Sequence, residues 1–221
     1  MIWNWQQKNW PRFIYNKDDF KDYELKFFEN AGMLYGSLQH VDEGEQQALK
    51  VDLMSNEAYK TSEIEGEILN RDSIHSSIRR QLGLQVDHRR VEPAEQGIAE
   101  MMVDLYRNYD LPLANEGLYL WHKMLTNGRR DLIDIGRYRT HEDPMQIVSG
   151  PISRSVVHFE APASKDVHNQ MRTYITWFNE TNKDKTNDLS PLIRSAIAHL
   201  YFECIHPCLL YTSDAAETPY V

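Results

Sequence analysis

The sequence predicts an all-α fold carrying one short β-hairpin. Apolar residues recur every three or four positions along most of the chain, the period of a helix with one buried face. Prolines open and glycines close several of these stretches, as expected of helix ends. Strand-type runs occur in one place, between Gly136 and Ala163, so nothing larger than a hairpin is expected. With 221 residues, 41% of them hydrophobic, the chain can bury an ordinary core in one domain or two small ones.

Residues 1–16 hold Trp3, Trp5, Trp10, Phe13 and Tyr15 and are broken by Pro11, so they read as an extended segment whose tryptophans lie on a core. From Phe20 to about Leu38, the positions of Phe27, Ala31, Leu34 and Leu38 predict a helix, and a second runs over Glu45–Tyr59. Asp72 reads as the N-cap of a helix carrying Ile74, Ile78 and Leu82, with Gly83 as its stop. Pro93 opens a helix through Ile98, Met101, Met102 and Leu105. Another runs from about Asn115 through Leu118, Trp121 and Leu125 to Gly128. The runs Gln146-Ile147-Val148 and Val156-Val157-His158-Phe159 flank Ser149-Gly150-Pro151, the pattern of a hairpin. Ser164 reads as the cap of a helix lined by Val167, Met171, Tyr174 and Phe178. After a polar stretch from Glu180 to Asp188, Ser190 and Pro191 open a last helix, which Pro207 stops.

Composition excludes several classes. A net charge of −9 leaves no concentrated basic face, so nucleic-acid binding is not indicated, and Arg71, Arg79, Arg80, Arg89 and Arg90 read as a solvated helix face. No run of about eighteen apolar residues occurs and the N-terminus is interrupted by polar residues, so neither a membrane span nor a signal peptide is expected, and the cytoplasm is the expected location. Cys204 and Cys208 have no companion ligands, which argues for reduced thiols rather than a disulfide or zinc site. His199, Glu203 and His206 share one helical face but lack further ligands, so no metal site is assigned.

The last helix and its exit, Ser190 to His206-Pro207, resemble the helix that delivers the H-P-F-x-[D/E]-G-N-G-R-x-x-R loop of the Fic family. Three further segments resemble the same family in order. Ile2-Trp3-Asn4-Trp5 to Trp10-Pro11 is similar to an N-terminal domain that often precedes Fic domains. Thr61-Ser62-Glu63-Ile64-Glu65-Gly66 fits the inhibitory motif [S/T]-x-x-x-E-[G/N]. Gly136-Arg137-Tyr138-Arg139, then Gln146-Ile147-Val148-Ser149-Gly150, Phe159-Glu160-Ala161-Pro162 and Trp177-Phe178-Asn179, resemble the segment containing the target-docking flap. The resemblance divides the chain into an N-terminal helical domain over 1–85 and a Fic core over 86–207.

The resemblance implies transfer of AMP from ATP, with Mg²⁺, to a Ser, Thr or Tyr hydroxyl of a protein target. His206 would be the base that takes the hydroxyl proton, because a histidine at a helix C-terminus is stabilised in its protonated form by the helix dipole. Thr61, Glu65 and Gly66 would form an autoinhibitory segment, on a helix that begins before Thr61 and stops near Asn70. Gln146 to Gly150 would hold the target chain by strand addition, overhanging the end of the last helix. A homodimer is allowed.

After Pro207 the pattern breaks. Leu210, Tyr211, Thr212 and Ser213 stand where the acid, Gly, Asn and Gly belong, which removes the metal ligand, the anion-binding turn and the phosphate arginines together. Codons for residues 208–216 spell a transposon-end sequencing adapter, so 208–221 read as a non-native tail that should pack poorly. Electrostatic stabilisation of the transferred group outweighs the roughly 10²- to 10⁴-fold contribution of a base, so this chain is expected to be close to inert. The alternative reading is a non-catalytic regulatory or interaction module built of helices.

Overall fold

A computed structural model describes residues 2–85, 90–151, 154–182 and 189–209. Arg89, most of the polar stretch before Ser190 and Leu210 to Val221 lie outside the described residues. Among the described residues are seven α-helices and one two-stranded sheet, so the all-α class with a hairpin holds. The chain gathers into two compact units that interleave in sequence. The first holds Met1–Gln46, His141–Gln146 and Phe159–Pro207; the second holds Gln47–Thr140, Ile147–His158 and the chain from Cys208.

The second unit is built on three helices. In α2 (Glu43–Ile64) Val51, Met54 and Ala58 are buried. They pack with Ile74 and Ile78 of α3 (Arg71–Gln81) and with Ile98, Ala99, Met102 and Val103 of α4 (Pro93–Asn108). α2 runs five residues beyond the expected end at Tyr59 and closes in a Schellman motif: the amide of Glu67 donates to Ser62 O at 2.8 Å, that of Gly66 to Glu63 O at 3.1 Å, and Gly66 takes φ 83°. Gly83 ends α3 in the same way, its amide bonded to Arg80 O and that of Leu84 to Arg79 O.

The N-cap of α3 is Asn70 rather than Asp72. Its side chain accepts from the Ser73 amide at 3.0 Å, and Asp72 falls inside the first turn, where its charge suits the helix dipole. At the next entry, the buried Glu95 carboxylate accepts from the amides of Glu92, at the start of α4, and Asn70, at 3.0 and 3.1 Å. One carboxylate thereby satisfies the backbone at the starts of two helices. α5 (Asn115–Leu125) crosses α4 at Gly97, where a Cβ would lie 2.0 Å from Met124 O.

In the first unit, α6 (Ser164–Glu180) packs on α7 (Pro191–Ile205). Val167, Met171 and Tyr174 face Ile193, Ala198, Tyr201 and Ile205 in the core. The Tyr201 ring meets Tyr174 at 5.1 Å, Trp177 at 5.8 Å and Trp10 at 4.9 Å between centroids. Arg194 ties the start of α7 to the end of α6, donating to Phe178 O at 2.7 Å and Thr181 Oγ1 at 3.2 Å. Ser190 caps α7, accepting from the Ile193 amide, and donates to Glu24 of α1 (Lys21–Leu38). Ser164 does not cap α6, whose N-cap is Ala163. The Ser164 hydroxyl instead donates to His141 O at 2.6 Å, so its oxygen anchors a neighbouring strand of chain rather than the helix's own amides.

The opening segment is not simply extended, for it makes a 3₁₀ turn at Asn4–Gln6, and a second follows it at Lys17–Phe20. Its tryptophans do lie on the body. Trp5 Nε1 donates to Glu160 O at 2.6 Å, Trp10 Nε1 to Gln170 Oε1 at 3.0 Å, and the Trp3 ring stands edge-on to Phe159. The helix α1 has the predicted bounds but no buried residue; Phe27 and Leu34 remain about half exposed. The hairpin pairs β1 (Gln146–Ser149) with β2 (Val156–Glu160), turning at Gly150 with φ 87°.

Candidate functional site

His206 closes α7. It is the one non-glycine residue with positive φ among the described residues, at φ 47° and ψ 62°. Pro207 explains part of this, because a proline excludes right-handed helical geometry from the residue before it. The His206 amide still donates to Phe202 O at 2.9 Å, so the helix is intact up to the residue that leaves it. A left-handed conformation on a residue with a Cβ costs roughly 1–2 kcal/mol, a strain that recurs at functional positions. The imidazole is 28% exposed, and its Nδ1 faces Glu203 Oε2 at 3.8 Å, one turn back on α7.

Within the same unit, adjacent residues Asn4 and Trp5 bring the end of α7 and the end of the hairpin to one 3₁₀ turn. The Asn4 amide donates to Cys204 Sγ at 3.4 Å while Trp5 holds Glu160 O. Gln146 donates to Glu160 Oε2 at 2.7 Å and the Ala161 amide to Met145 O at 2.9 Å, closing the base of the hairpin. Farther out, Ile147 is exposed, and Ser149 Oγ lies 2.6 Å from His158 Nε2 across the strands.

Thr61, Glu65 and Gly66 stand at the end of α2 in the second unit. Glu65 is not inside a helix that continues toward Asn70, because α2 stops at Ile64 and Glu65 is its capping residue, with its amide donating to Thr61 O at 3.2 Å. Gly66 serves the helix stop, a position that demands a left-handed backbone. Thr61 and Glu65 are both exposed.

The Gly136-Arg137-Tyr138-Arg139 segment, which the resemblance placed in the stretch containing the flap, is held by side-chain bonds within the second unit. Asp134, buried, accepts from the Thr140 amide at 2.7 Å and from Arg137 Nε at 2.8 Å. Tyr138 donates to Asn115 Oδ1 and meets the Tyr119 ring at 4.9 Å. Arg139 is buried, which pulls its guanidinium down to about 10. Cys208 lies in the same unit with its thiol 3.9 Å from Arg137 O, and burial pushes that thiol up to about 12. Cys208 thus makes a contact, while Leu210–Val221 of the expected poorly packed tail lie outside the described residues. Both cysteines are free thiols.

Among the described residues no three His, Cys, Asp or Glu side chains gather as a metal would need. With Leu210 in the acid's place, the residues present do not fit Mg²⁺ or a nucleotide phosphate. No helix among the described residues is long and apolar enough to cross a membrane.

The sequence model of the Fic/DOC family matches residues 112–208, and that of a domain of unknown function, DUF4172, matches residues 3–84; the chain carries a Fic/DOC domain with that domain in front. The fold is similar to a Fic family protein from Desulfovibrio desulfuricans G20, with TM-score 0.51 and 21% identity over 89% of this chain and 54% of that one. It is also similar to a Fic domain containing signaling protein from Bacteroides thetaiotaomicron VPI-5482, with TM-score 0.56 and 15% identity over 81% of this chain and 65% of that one. The chain thus spans between half and two thirds of the length of these solved structures. No curated protein matches it.

Proposed function

We propose that this chain carries the front part of a Fic-type protein adenylyltransferase, with His206 as the base that takes the proton from a target Ser, Thr or Tyr hydroxyl. The observation that carries the reading is the placement of His206: a left-handed residue at the end of α7, with Glu203 beside Nδ1. Histidine is the side chain most often used to take a proton in such a step. The hairpin is suited to hold the target in extended form, since no third strand pairs with it among the described residues and Ile147 offers an exposed apolar contact.

ATP with Mg²⁺ would supply the AMP group in a complete enzyme. In this chain the acid, the Gly-Asn-Gly turn and the arginines are missing after Pro207, so the 221 residues should be close to inert. Glu65 would be the inhibitory carboxylate, acting on the last arginine of the loop, and the protein would act in the cytoplasm. The test is incorporation of labelled AMP into a hydroxyl-bearing protein by a chain whose residues from 208 on are replaced by the family loop. Transfer that survives His206→Ala unchanged would remove His206 from the mechanism.

A further inference from the structure

His122 is buried near the end of α5, in a stretch that otherwise reads as a plain apolar stripe, and it is only 4% exposed. Its Nδ1 lies 3.2 Å from the amide of Gly136. A backbone amide can only donate, so Nδ1 bears no proton and the neutral ring carries its proton on Nε2. Nε2 lies 2.9 Å from Leu209 O, to which it must donate. The main chain that carries the ring is held as well, because its carbonyl accepts from both the amide and the hydroxyl of Thr126, a residue itself buried. Gly136 has φ 67°, a conformation a side chain would strain, so the donor on that side is fixed as well.

We infer that His122 is a positioning residue that pins the polypeptide just after His206-Pro207, holding by its main chain the point where the catalytic loop of a Fic enzyme begins. The inference rests on the Fic-type reading for its functional meaning. Leu209 falls at the x of H-P-F-x-[D/E], directly before the acid position. A residue held through its carbonyl can carry any side chain, which accounts for the motif leaving that position open. A loop that must cradle phosphates needs its start fixed to within about 0.5 Å, and a buried neutral imidazole bonded on both nitrogens provides such a fixed point.

The test uses the 221-residue chain and the alkylation rates of its two cysteines with N-ethylmaleimide, resolved by mass spectrometry. Cys208 adjoins the pinned carbonyl, whereas Cys204 is buried in the other unit and reports general unfolding. In His122→Asn the side-chain oxygen can still accept from Gly136 but nothing reaches Leu209. In His122→Gln the amide reaches the Nε2 position and keeps the bond to Leu209. Cys208 should react about tenfold faster in His122→Asn, the change expected on losing one hydrogen bond, with Cys204 unchanged, while His122→Gln stays near the parent rate. Parent-like labelling of Cys208 in His122→Asn, or equal acceleration of both cysteines in both variants, would overturn the inference. Because this readout requires no nucleotide transfer, it stands or falls separately from the transferase reading. In a chain bearing the family loop, His122→Gln should also keep more transfer activity than His122→Asn.

Discussion

The Trp5 indole donates to the carbonyl of Glu160 at 2.6 Å, joining the opening segment to the last residue of the hairpin. With Asn4 on Cys204, this makes the first few residues a brace on the elements that end at the hairpin and at α7. Trp5→Phe keeps most of the ring but leaves the carbonyl without this donor, so it should lower stability by about 1 kcal/mol and the melting temperature by about 2–4 °C. Faster amide exchange at 159–161 in the same variant would locate the loss. An unchanged melting temperature would show that the bond contributes nothing net.

Gly97→Ala sets two effects against each other. Alanine is favoured over glycine inside a helix by about 1 kcal/mol, but the new Cβ would sit 2.0 Å from Met124 O, a backbone atom of α5 that cannot step aside cheaply. Overpacking of this kind costs about 1–3 kcal/mol and often more, so the variant should be destabilised in thermal or urea unfolding. A stabilised Gly97→Ala would mean that α4 and α5 do not approach as closely as described.

The Tyr201 hydroxyl is fully buried with no hydrogen-bond partner among the described residues, and burial raises its pKa to about 12 from 10. Tyr174 and Cys208 are likewise pushed up to about 12. In each case the folded state holds the proton more tightly than the unfolded chain. The resulting stability is complete below the ordinary values of 9 to 10 and is lost as pH climbs toward 12. Unfolding midpoints should therefore fall steeply above about pH 9. Tyr201→Phe should be neutral or stabilising at pH 7, because it removes an unpaired buried hydroxyl, and should flatten the alkaline fall. A clear loss of stability at pH 7 would reveal an unseen partner for that hydroxyl.

Glu65→Gly separates inhibition from structure. In the 221-residue chain it should leave AMP transfer at background. In a chain bearing the family loop it should raise transfer, by freeing the loop arginine and the γ-phosphate position. Glu65 is an exposed helix-capping residue whose cap is made by backbone bonds and Gly66, so the change should cost little stability. No rise in the loop-bearing chain would remove the inhibitory assignment.

Much of the fold was legible because its signals are local. Ser190 and Pro191 at the start of α7, Pro93 at the start of α4, and Gly83 and Gly150 at turns each act through their own backbone, and all four places turned out as read. Errors arose where two residues could play one part. Asn70 and Asp72 are both good caps, and only the tertiary bond from the Asn70 amide to Glu95 favours the first. Ser164 looks like a cap until His141 O claims its hydroxyl. The periodicity of α1 was plain, yet periodicity cannot say what covers a face, and the residues of α1 remain exposed. His122 was invisible for a different reason: its two partners are backbone groups 14 and 87 residues away, which no spacing rule connects.

On the proposed reading the chain has the transferase framework up to Pro207 and lacks the groups that hold the nucleotide. That reading is tested most directly by measuring labelled AMP incorporation, with ATP and Mg²⁺, for the 221-residue chain beside the same chain carrying the family loop from residue 208. Background labelling is expected for the first and clear labelling for the second. Strong labelling by the 221-residue chain itself, or none by the loop-bearing chain under conditions where it is folded, would contradict it.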